Sequence, residues 1–210
     1  MAIRSDLHKH VGEVVLDRPP VNALDLRAWR ELARVVSELG ARAEVRCLLL
    51  RGEGRGFCAG TDGREIRPDG LERAIHAALR ALRDCEVPVV TAVHSFVMGG
   101  GVGLCGASDV VLAADDAYFV VPGIEQGVMR GAAYGAALFP PRKARAAFFT
   151  GGRITAAEAQ RLGAVERLVA PKRLLKEARA FAGLIAAKDR RALVRAKAAL
   201  RAAADGAFRT

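Results

Sequence analysis

Two glycine-rich stretches, each soon after an apolar run, decide how this chain folds. The first is RGEGRGFCAGTDG at residues 51–63, which follows the apolar run CLLL at residues 47–50. The second is GGG at residues 99–101, a few residues beyond PVVTAV at residues 88–93. A short apolar run bounded by turn residues is typical of a strand that is buried on both faces. Each stretch therefore predicts a buried strand that ends in a tight turn.

The rest of the chain alternates between strand and helix patterns. Asp25 is a favourable N-cap residue, and the apolar residues after it recur at helical spacing. The patterns predict an opening strand at residues 11–16, further strands at 109–113, 117–121 and 165–169, and helices at 26–36, 71–82, 102–107, 142–149, 155–162, 171–187 and 190–203. Strands that alternate with helices indicate an α/β fold with buried parallel strands. No linker or repeat divides the 210 residues, so one domain is expected.

The composition indicates a globular protein with a marked positive charge. Hydrophobic residues make up 51% and charged residues 27%, which argues against intrinsic disorder. The net charge is +10, but aromatic residues are only 5% and the basic residues concentrate in the helical region 142–201. We therefore expect a polyphosphate-bearing small molecule as partner and no nucleic acid. No apolar run reaches the ~18 residues that span a bilayer, and no secretory signal is recognisable, so we expect a cytoplasmic protein with no membrane partner.

The cysteines do not form a recognisable metal or disulfide pattern. Cys47, Cys58, Cys85 and Cys105 are scattered, with no CxxC pair and no histidine at ligand spacing. A structural metal site needs such clustering, and a disulfide framework is typical of much shorter chains. The sequence therefore predicts buried free thiols and no metal.

The chemistry of the two glycine stretches lies in their backbone N–H groups. A strand that ends in glycines and leads into a helix directs N–H donors at one point, and the positive end of the helix dipole adds to them. Such donors stabilise a developing oxyanion because they are oriented in advance. Glycine-rich loops also bind phosphates, but the Gly-x-Gly-x-x-Gly and P-loop sequences are both absent.

Four ordered motifs together resemble the crotonase superfamily of enoyl-CoA hydratases and isomerases. They are RPPVNAL at residues 18–24, GFCAGTD at 56–62, the strand and glycine run at 88–101, and TGGRITAAEA at 150–159. The resemblance covers nearly the whole chain. It implies a crotonase-like α/β fold, a spiral of strand–strand–helix units that ends in a helical C-terminal region. A single domain spanning residues 1–210 would then comprise a spiral core (1–140) and a shortened helical region (141–210). Family members usually assemble as homotrimers or as dimers of trimers.

The resemblance also implies a site for an acyl thioester of coenzyme A. The thioester carbonyl would lie between the backbone N–H groups of Thr61 and Gly100. Coenzyme A enters as part of the substrate, so no separate cofactor is expected. The acyl-CoA is thus the expected ligand or substrate.

Other positions carried over from the family would hold the coenzyme A portion. The adenine is held by backbone near Ala23 and between Ala59 and Gly63. Two basic family positions fall on Arg55 and Arg64. These two side chains are either partners of the phosphates or ordinary solvated surface arginines, and the sequence leaves both interpretations open.

The chain departs from the hydratase pattern at both catalytic glutamates. Hydratases of the family use two glutamates to hold and activate water, and the corresponding residues here are Gly103 and Gly123. Without proton carriers, simple hydration of an enoyl-CoA is not expected. GGGVGL at residues 99–104 and PGIEQG at 122–127 resemble another branch, which includes hydrolases that open a cyclic β-diketone CoA thioester. Glu125 is then the candidate base, and its alternative is a solvated loop carboxylate.

Two further features bear on catalysis. His94 follows a buried strand directly before the glycine run, where it is either a base or a neutral core histidine with one satisfied nitrogen, and the second interpretation is favoured. Family members usually continue beyond the equivalent of Arg201 with a helix that closes the acyl pocket. The resemblance therefore predicts a shortened C-terminal region and a wetter site, which weakens electrostatic stabilisation.

Three classes of function stay open at this point. The first is an enzyme that acts through a thioester enolate, by isomerisation, C–C hydrolysis or decarboxylation. The second is a non-catalytic acyl-CoA-binding protein, and the third is a structural subunit that supports an active paralogue. The two intact glycine turns and Glu125 favour the enzyme.

Overall fold

The computed structural model describes residues 2–64, 70–124 and 131–206, which form eleven strands and eight α-helices. The strands are β1 (Ile3–His8), β2 (Val11–Leu16), β3 (Ala23–Leu24), β4 (Cys47–Gly52), β5 (Gly60–Thr61), β6 (Val89–Val93), β7 (Phe96–Met98), β8 (Val110–Ala114), β9 (Tyr118–Val120), β10 (Ile154–Thr155) and β11 (Arg167–Val169). The helices are α1 (Leu26–Ala41), α2 (Leu71–Arg83), α3 (Gly100–Gly106), α4 (Ala132–Ala137), α5 (Pro141–Thr150), α6 (Ala156–Arg161), α7 (Leu174–Ala186) and α8 (Arg190–Gly206).

The main sheet has six strands in the order β1-β2-β4-β6-β8-β11. β1 is antiparallel to β2, and the remaining neighbours are parallel. Parallel strands need a crossover between them. The crossovers from β2 to β4 and from β4 to β6 contain α1 and α2, and the crossover from β6 to β8 contains α3.

Short strands outside the main sheet complete each turn of a spiral. The segments β2-β3-α1, β4-β5-α2 and β6-β7-α3 each repeat the order long strand, short strand, helix. β3 pairs in parallel with β5, while β7 pairs in parallel with β9 and β10 pairs antiparallel to it. The predicted spiral of strand–strand–helix units is confirmed, and so are the helices that follow it.

The sheet is covered on both faces, which explains its continuous apolar strands. Leu48 and Leu50 of β4 belong to the larger core formed with α1, α2 and α3. Cys47 and Leu49 point to the opposite face and pack in a smaller core beneath α7. The alternation follows from the two-residue period of a strand. All four cysteines are buried free thiols, as predicted.

Several elements differ from the sequence-based expectation. The first strand is β1 rather than residues 11–16, because its only buried residue is Ile3 and an exposed edge strand shows no apolar alternation. α3 begins at Gly100, two residues earlier than predicted. The helix expected at residues 171–187 begins with a 3₁₀ turn at Pro171–Arg173. The short strands β3, β5, β7 and β10 were not predicted, because two or three residues carry no measurable periodicity.

Over the described ranges, every helix is either too short or too polar to cross a lipid bilayer.

Candidate functional site

The two glycine turns predicted from sequence touch each other directly. Gly60 has φ +90°, a left-handed conformation that favours glycine. A β-carbon built on Gly60 would lie 2.9 Å from the Met98 carbonyl oxygen and 3.0 Å from the Gly100 nitrogen. One built on Gly101 would lie 2.8 Å from the Cys58 carbonyl oxygen. Side chains at these positions would therefore force the turns apart.

The two predicted N–H donors, those of Thr61 and Gly100, are not used in the β3–β5 pairing or inside α3. The Asp62 N–H donates to the Leu24 carbonyl over 2.9 Å in the β3–β5 ladder. Alternate residues of a strand donate to the same neighbour, so the Thr61 N–H points away from β3. Gly100 is the first residue of α3, whose first-turn N–H groups have no partner inside the helix. Within the described part of the chain, the Gly100 N–H has no hydrogen-bond acceptor.

Asn22 and Cys58 hold the loops around the first turn together. The buried Asn22 side chain donates to the carbonyls of Glu53 (2.8 Å), Gly56 (3.0 Å) and Phe57 (3.2 Å). The Cys58 thiol bonds to the Asn22 carbonyl over 3.1 Å. Burial raises the pKa of Cys58 to about 12, so this cysteine stays a protonated donor and is no nucleophile.

An ion-pair network extends from the first turn to the start of α1. The Arg18 guanidinium pairs with Asp62 over 2.9 Å and with Asp25 over 3.1 Å, and it also donates to the Ala23 carbonyl. Asp25 caps α1 by accepting from the Ala28 N–H over 2.8 Å, as predicted. Hydrogen bonds from the Arg64 side chain, followed by its backbone N–H and by Arg18, hold the pKa of the Asp62 carboxyl well below its usual range. The Asp62 carboxyl is therefore ionised at neutral pH.

The sequence profile of the enoyl-CoA hydratase/isomerase family matches residues 6–209 of this protein. The chain belongs to this family. Curated relatives include the (7aS)-7a-methyl-1,5-dioxo-2,3,5,6,7,7a-hexahydro-1H-indene-carboxyl-CoA hydrolases of Mycobacterium tuberculosis and Rhodococcus jostii. The first is 42% identical over 89% of this chain and 78% of its own length. The second is 41% identical over 90% of this chain and 76% of its own length.

Solved structures of the enoyl-CoA hydratase/isomerase family share the fold. A probable enoyl-CoA hydratase from Mycobacterium thermoresistibile has a TM-score of 0.92 and 31% identity, over 99% of this chain and 90% of that chain. A putative enoyl-CoA hydratase from Streptomyces coelicolor has a TM-score of 0.90 and 31% identity, over 98% of this chain and 80% of that chain. The helices after the spiral are part of this shared architecture.

Most of the family positions predicted for ligand binding lie around these turns. Thr61 ends β5 and Gly100 begins α3, so the two donor positions lie on turns in direct contact. Ala23 is paired with Gly60 in the β3–β5 register, and the N–H of Ala59 donates to the carbonyl of the preceding loop at Val21 over 3.0 Å.

The remaining predicted positions are more exposed. Gly63 and Arg64 lie on the surface after β5, and Arg64 reaches back to Asp62 over 2.7 Å. Arg55 is exposed in the turn between β4 and β5. Glu125, the candidate base, lies outside the described residues.

His94 is not a core histidine, so that expectation was wrong. β6 ends at Val93, and His94 leaves the sheet in a half-buried position. Its Nε2 lies 3.0 Å from the Gly54 carbonyl oxygen, and its own carbonyl accepts from the Phe57 N–H over 3.1 Å. One ring nitrogen has a hydrogen-bond partner, as expected. The residue does not fill the core, however, but links the loop after β6 to the loop after β4.

Gly103, which was expected to correspond to the first hydratase glutamate, faces an apolar side chain. A β-carbon built on Gly103 would lie 3.4 Å from both methyl groups of Leu79 on α2. Leu79 is fully buried. The side chain that faces this position is therefore hydrocarbon.

Arg18 and Asp62 were not among the predicted site residues. Both belong to recognisable motifs, RPPVNAL and GFCAGTD. Their pairing joins segments that are far apart in the chain, and no local pattern predicts such a contact. The buried Trp29, which contacts Gly100, was likewise not among the predicted site residues.

Proposed function

We propose that this protein is a coenzyme A thioester enzyme that cleaves a carbon–carbon bond by hydrolysis, with the N–H groups of Thr61 and Gly100 as its oxyanion hole. The observation that carries the proposal is the contact between the two glycine turns, which puts the two donor positions on adjacent segments. The names of the two relatives at 42% and 41% identity support hydrolysis of a keto-substituted CoA ester. The hydrocarbon side chain that faces Gly103 disfavours hydration.

The reaction is a hydrolytic cleavage of a β-keto thioester. Water adds to the ketone carbon, and the bond between that carbon and the thioester α-carbon breaks. The electron pair of the broken bond becomes the thioester enolate, whose oxyanion accepts hydrogen bonds from Thr61 and Gly100. The proton released by water returns to the α-carbon, so the products are a carboxylic acid and an intact thioester. Two donors that are oriented in advance stabilise the enolate more than water does, because they need not reorient during the reaction.

The remaining positions of the site would bind and orient the substrate. Backbone groups near Ala23, Ala59 and Gly63 would hold the adenine. Arg55 and Arg64 would both pair with phosphate groups. Arg64 would do so while keeping its ion pair with Asp62. Glu125 would activate the water. Arg18 and Asp62 would not touch the reacting atoms, but they fix the turn that carries Thr61.

Mass spectrometry of the products tests this proposal. The purified protein is incubated with the CoA ester named for the two relatives, and with crotonyl-CoA as a comparison. Ring opening adds one water to the first compound and leaves the thioester intact, with no free thiol released. Release of free coenzyme A without ring opening would contradict C–C hydrolysis. Rapid hydration of crotonyl-CoA would contradict the interpretation that Gly103 and Gly123 replace the two proton-carrying glutamates of hydratases.

A second candidate is acyl-CoA binding without turnover. It is favoured by one observation, that Leu79 faces the position where hydratases have their first glutamate. Thermal denaturation separates the two functions from a purely structural subunit, because a ligand that binds the folded state raises the melting temperature. Stabilisation by acyl-CoA esters without product formation would select the binding protein, and no stabilisation would select the structural subunit. Assembly into trimers is part of the proposal and is measurable by light scattering.

A further inference from the structure

Trp29, the only tryptophan of the chain, lies directly beneath the second glycine turn. Its side chain is fully buried. A β-carbon built on Gly100 would lie 2.8 Å from Cζ2 and 3.0 Å from Cη2 of the indole ring. The benzene edge of Trp29 therefore fills the space in which any other residue at position 100 would place its side chain, and it supports the peptide that carries the Gly100 N–H.

The indole is an unfavourable choice for packing alone. Across the described residues, Trp29 Nε1 is the one buried side-chain nitrogen or oxygen with no hydrogen-bond partner. A buried donor without an acceptor loses its hydration and gains nothing in return. Phenylalanine or leucine would avoid that loss at the same position of α1. The cost of this unpaired N–H thus indicates that the contact between the long edge of the indole and Gly100 is the reason for a tryptophan at this position.

The helix turn that carries Trp29 is also tied to the other donor. The backbone N–H of Trp29 donates to the carbonyl of the N-cap residue Asp25 over 3.0 Å. The Asp25 carboxylate pairs with Arg18, and Arg18 pairs with Asp62, the residue after Thr61. The N-terminal end of α1 is therefore connected to both glycine turns. The Trp29 ring contacts Gly100, and the ion pairs of Arg18 lead from Asp25 to Asp62, next to Thr61.

We propose that Trp29 is a positioning residue whose ring sets the direction of the Gly100 N–H, so that this donor meets the thioester carbonyl oxygen. The inference rests on the proposed oxyanion hole and adds the residue that orients it. Trp29 does not touch the substrate. Its effect is confined to the part of the binding energy that comes from the thioester carbonyl.

The test compares two ligands that differ only in that carbonyl. Butyryl-CoA has the thioester oxygen, and its thioether analogue S-butyl-CoA lacks it. Isothermal titration of the wild-type protein should show a preference of roughly tenfold for butyryl-CoA, the size expected for a net hydrogen bond. In Trp29→Phe the preference should fall to about twofold or less, while the affinity for S-butyl-CoA stays within about twofold.

Leu32→Ala is the matched control. Leu32 lies one turn further along α1 and is fully buried. None of its atoms is among the three nearest to a β-carbon built on Gly100. This variant should lose stability but keep the thioester preference. A Trp29→Phe protein that keeps the preference would overturn the inference alone. A wild-type protein with no preference would overturn the proposed function, and this inference with it.

The emission of Trp29 gives a second readout that needs no variant. At equal occupancy, butyryl-CoA should shift the tryptophan emission of the wild-type protein more than S-butyl-CoA, because only the thioester loads the Gly100 peptide against the ring. Identical emission changes with the two ligands would overturn the inference.

Discussion

Gly60 and Gly100 approach so closely that a β-carbon on Gly60 would lie 3.0 Å from the backbone nitrogen of Gly100. Neither residue is in the main sheet. They meet because β5 and α3 follow successive strands, β4 and β6, which are parallel neighbours in that sheet. The short distance leaves room for no side chain, and it brings a predicted N–H donor of each turn to the same region.

Gly60→Ala should therefore damage both stability and thioester binding. Alanine at φ +90° is strained, by about 1–3 kcal/mol, and its β-carbon would collide with Met98 and Gly100. We expect acyl-CoA affinity to fall at least about tenfold. Chemical denaturation and calorimetric titration measure the two effects.

Gly163→Ala is the control for backbone strain. Gly163 has φ +76° and nothing within 4 Å of its β-carbon position. This variant should lose stability by about 1 kcal/mol without any loss of affinity. Equal affinities in the two variants would show that the contact between the turns is not needed for binding.

Acid should weaken the fold partly through Asp62. Its folded-state pKa is lowered, above all by the hydrogen bond from the Arg64 side chain, so its contribution to stability is present above the unfolded pKa, near 3.8, and declines as pH falls below it. Asp62→Asn should cost about 1–3 kcal/mol at pH 7 and reduce the further loss on acidification. Urea denaturation between pH 7 and pH 3 checks this, with Glu38→Gln on exposed α1 surface as control. Parallel pH curves for wild type and Asp62→Asn would contradict the assignment.

Lys197 should be the anchor of α8. It is the only buried residue of that helix, and its ammonium group donates to Leu82 and Val87 carbonyls over 3.3 and 3.2 Å and pairs with Asp109 over 2.7 Å. Lys197→Met keeps the aliphatic stem but removes the ammonium donor from all three acceptors, of which Asp109 still accepts from the Val89 N–H over 2.7 Å and Leu82 from the Cys85 N–H over 3.4 Å. We expect a loss of about 2–4 kcal/mol, somewhat less than for a fully buried pair because Asp109 is partly exposed.

Hydrogen exchange locates the effect of that substitution. Amides of α8 should exchange much faster in Lys197→Met, because the helix has few apolar contacts to hold it. Lys188→Met, at an exposed lysine, should change stability by less than about 0.5 kcal/mol. Unchanged exchange in α8 would mean that the contacts of Arg190 with the Val45 carbonyl and of Arg201 with Asp84 are enough to hold the helix.

Alanine substitution at two glycines of α3 should change the stability of the protein by very different amounts. At Gly103 the new β-carbon would meet the Leu79 methyl groups at 3.4 Å and the Gly131 carbonyl oxygen at 3.8 Å, so Gly103→Ala should be tolerated within about 1 kcal/mol. At Gly106 it would lie 1.8 Å from the Tyr134 carbonyl oxygen, so Gly106→Ala should lose about 3 kcal/mol or more. Melting curves of both variants measure the difference. A large loss in Gly103→Ala would show that packing, and not the chemistry of the site, requires the glycine there.

The sequence by itself determined the main strands, the long helices and the family. The apolar runs at 47–50 and 88–93 predicted β4 and β6, because a strand covered on both faces excludes polar residues along its whole length. Asp25 predicted the start of α1, because an N-cap is a local interaction between neighbouring residues. The four ordered motifs indicated the enoyl-CoA hydratase/isomerase family, which the profile match over residues 6–209 shows.

Only the tertiary structure decided how the glycine turns are held. The pair Arg18–Asp62 and the contact between Trp29 and Gly100 join segments that are distant in sequence, so neither leaves a periodic or local signal. His94 follows an apolar strand and was expected in the core, yet the chain leaves the sheet at this residue. The strands and caps follow from short-range patterns, whereas the geometry around the two N–H donors depends on how the spiral stacks its turns.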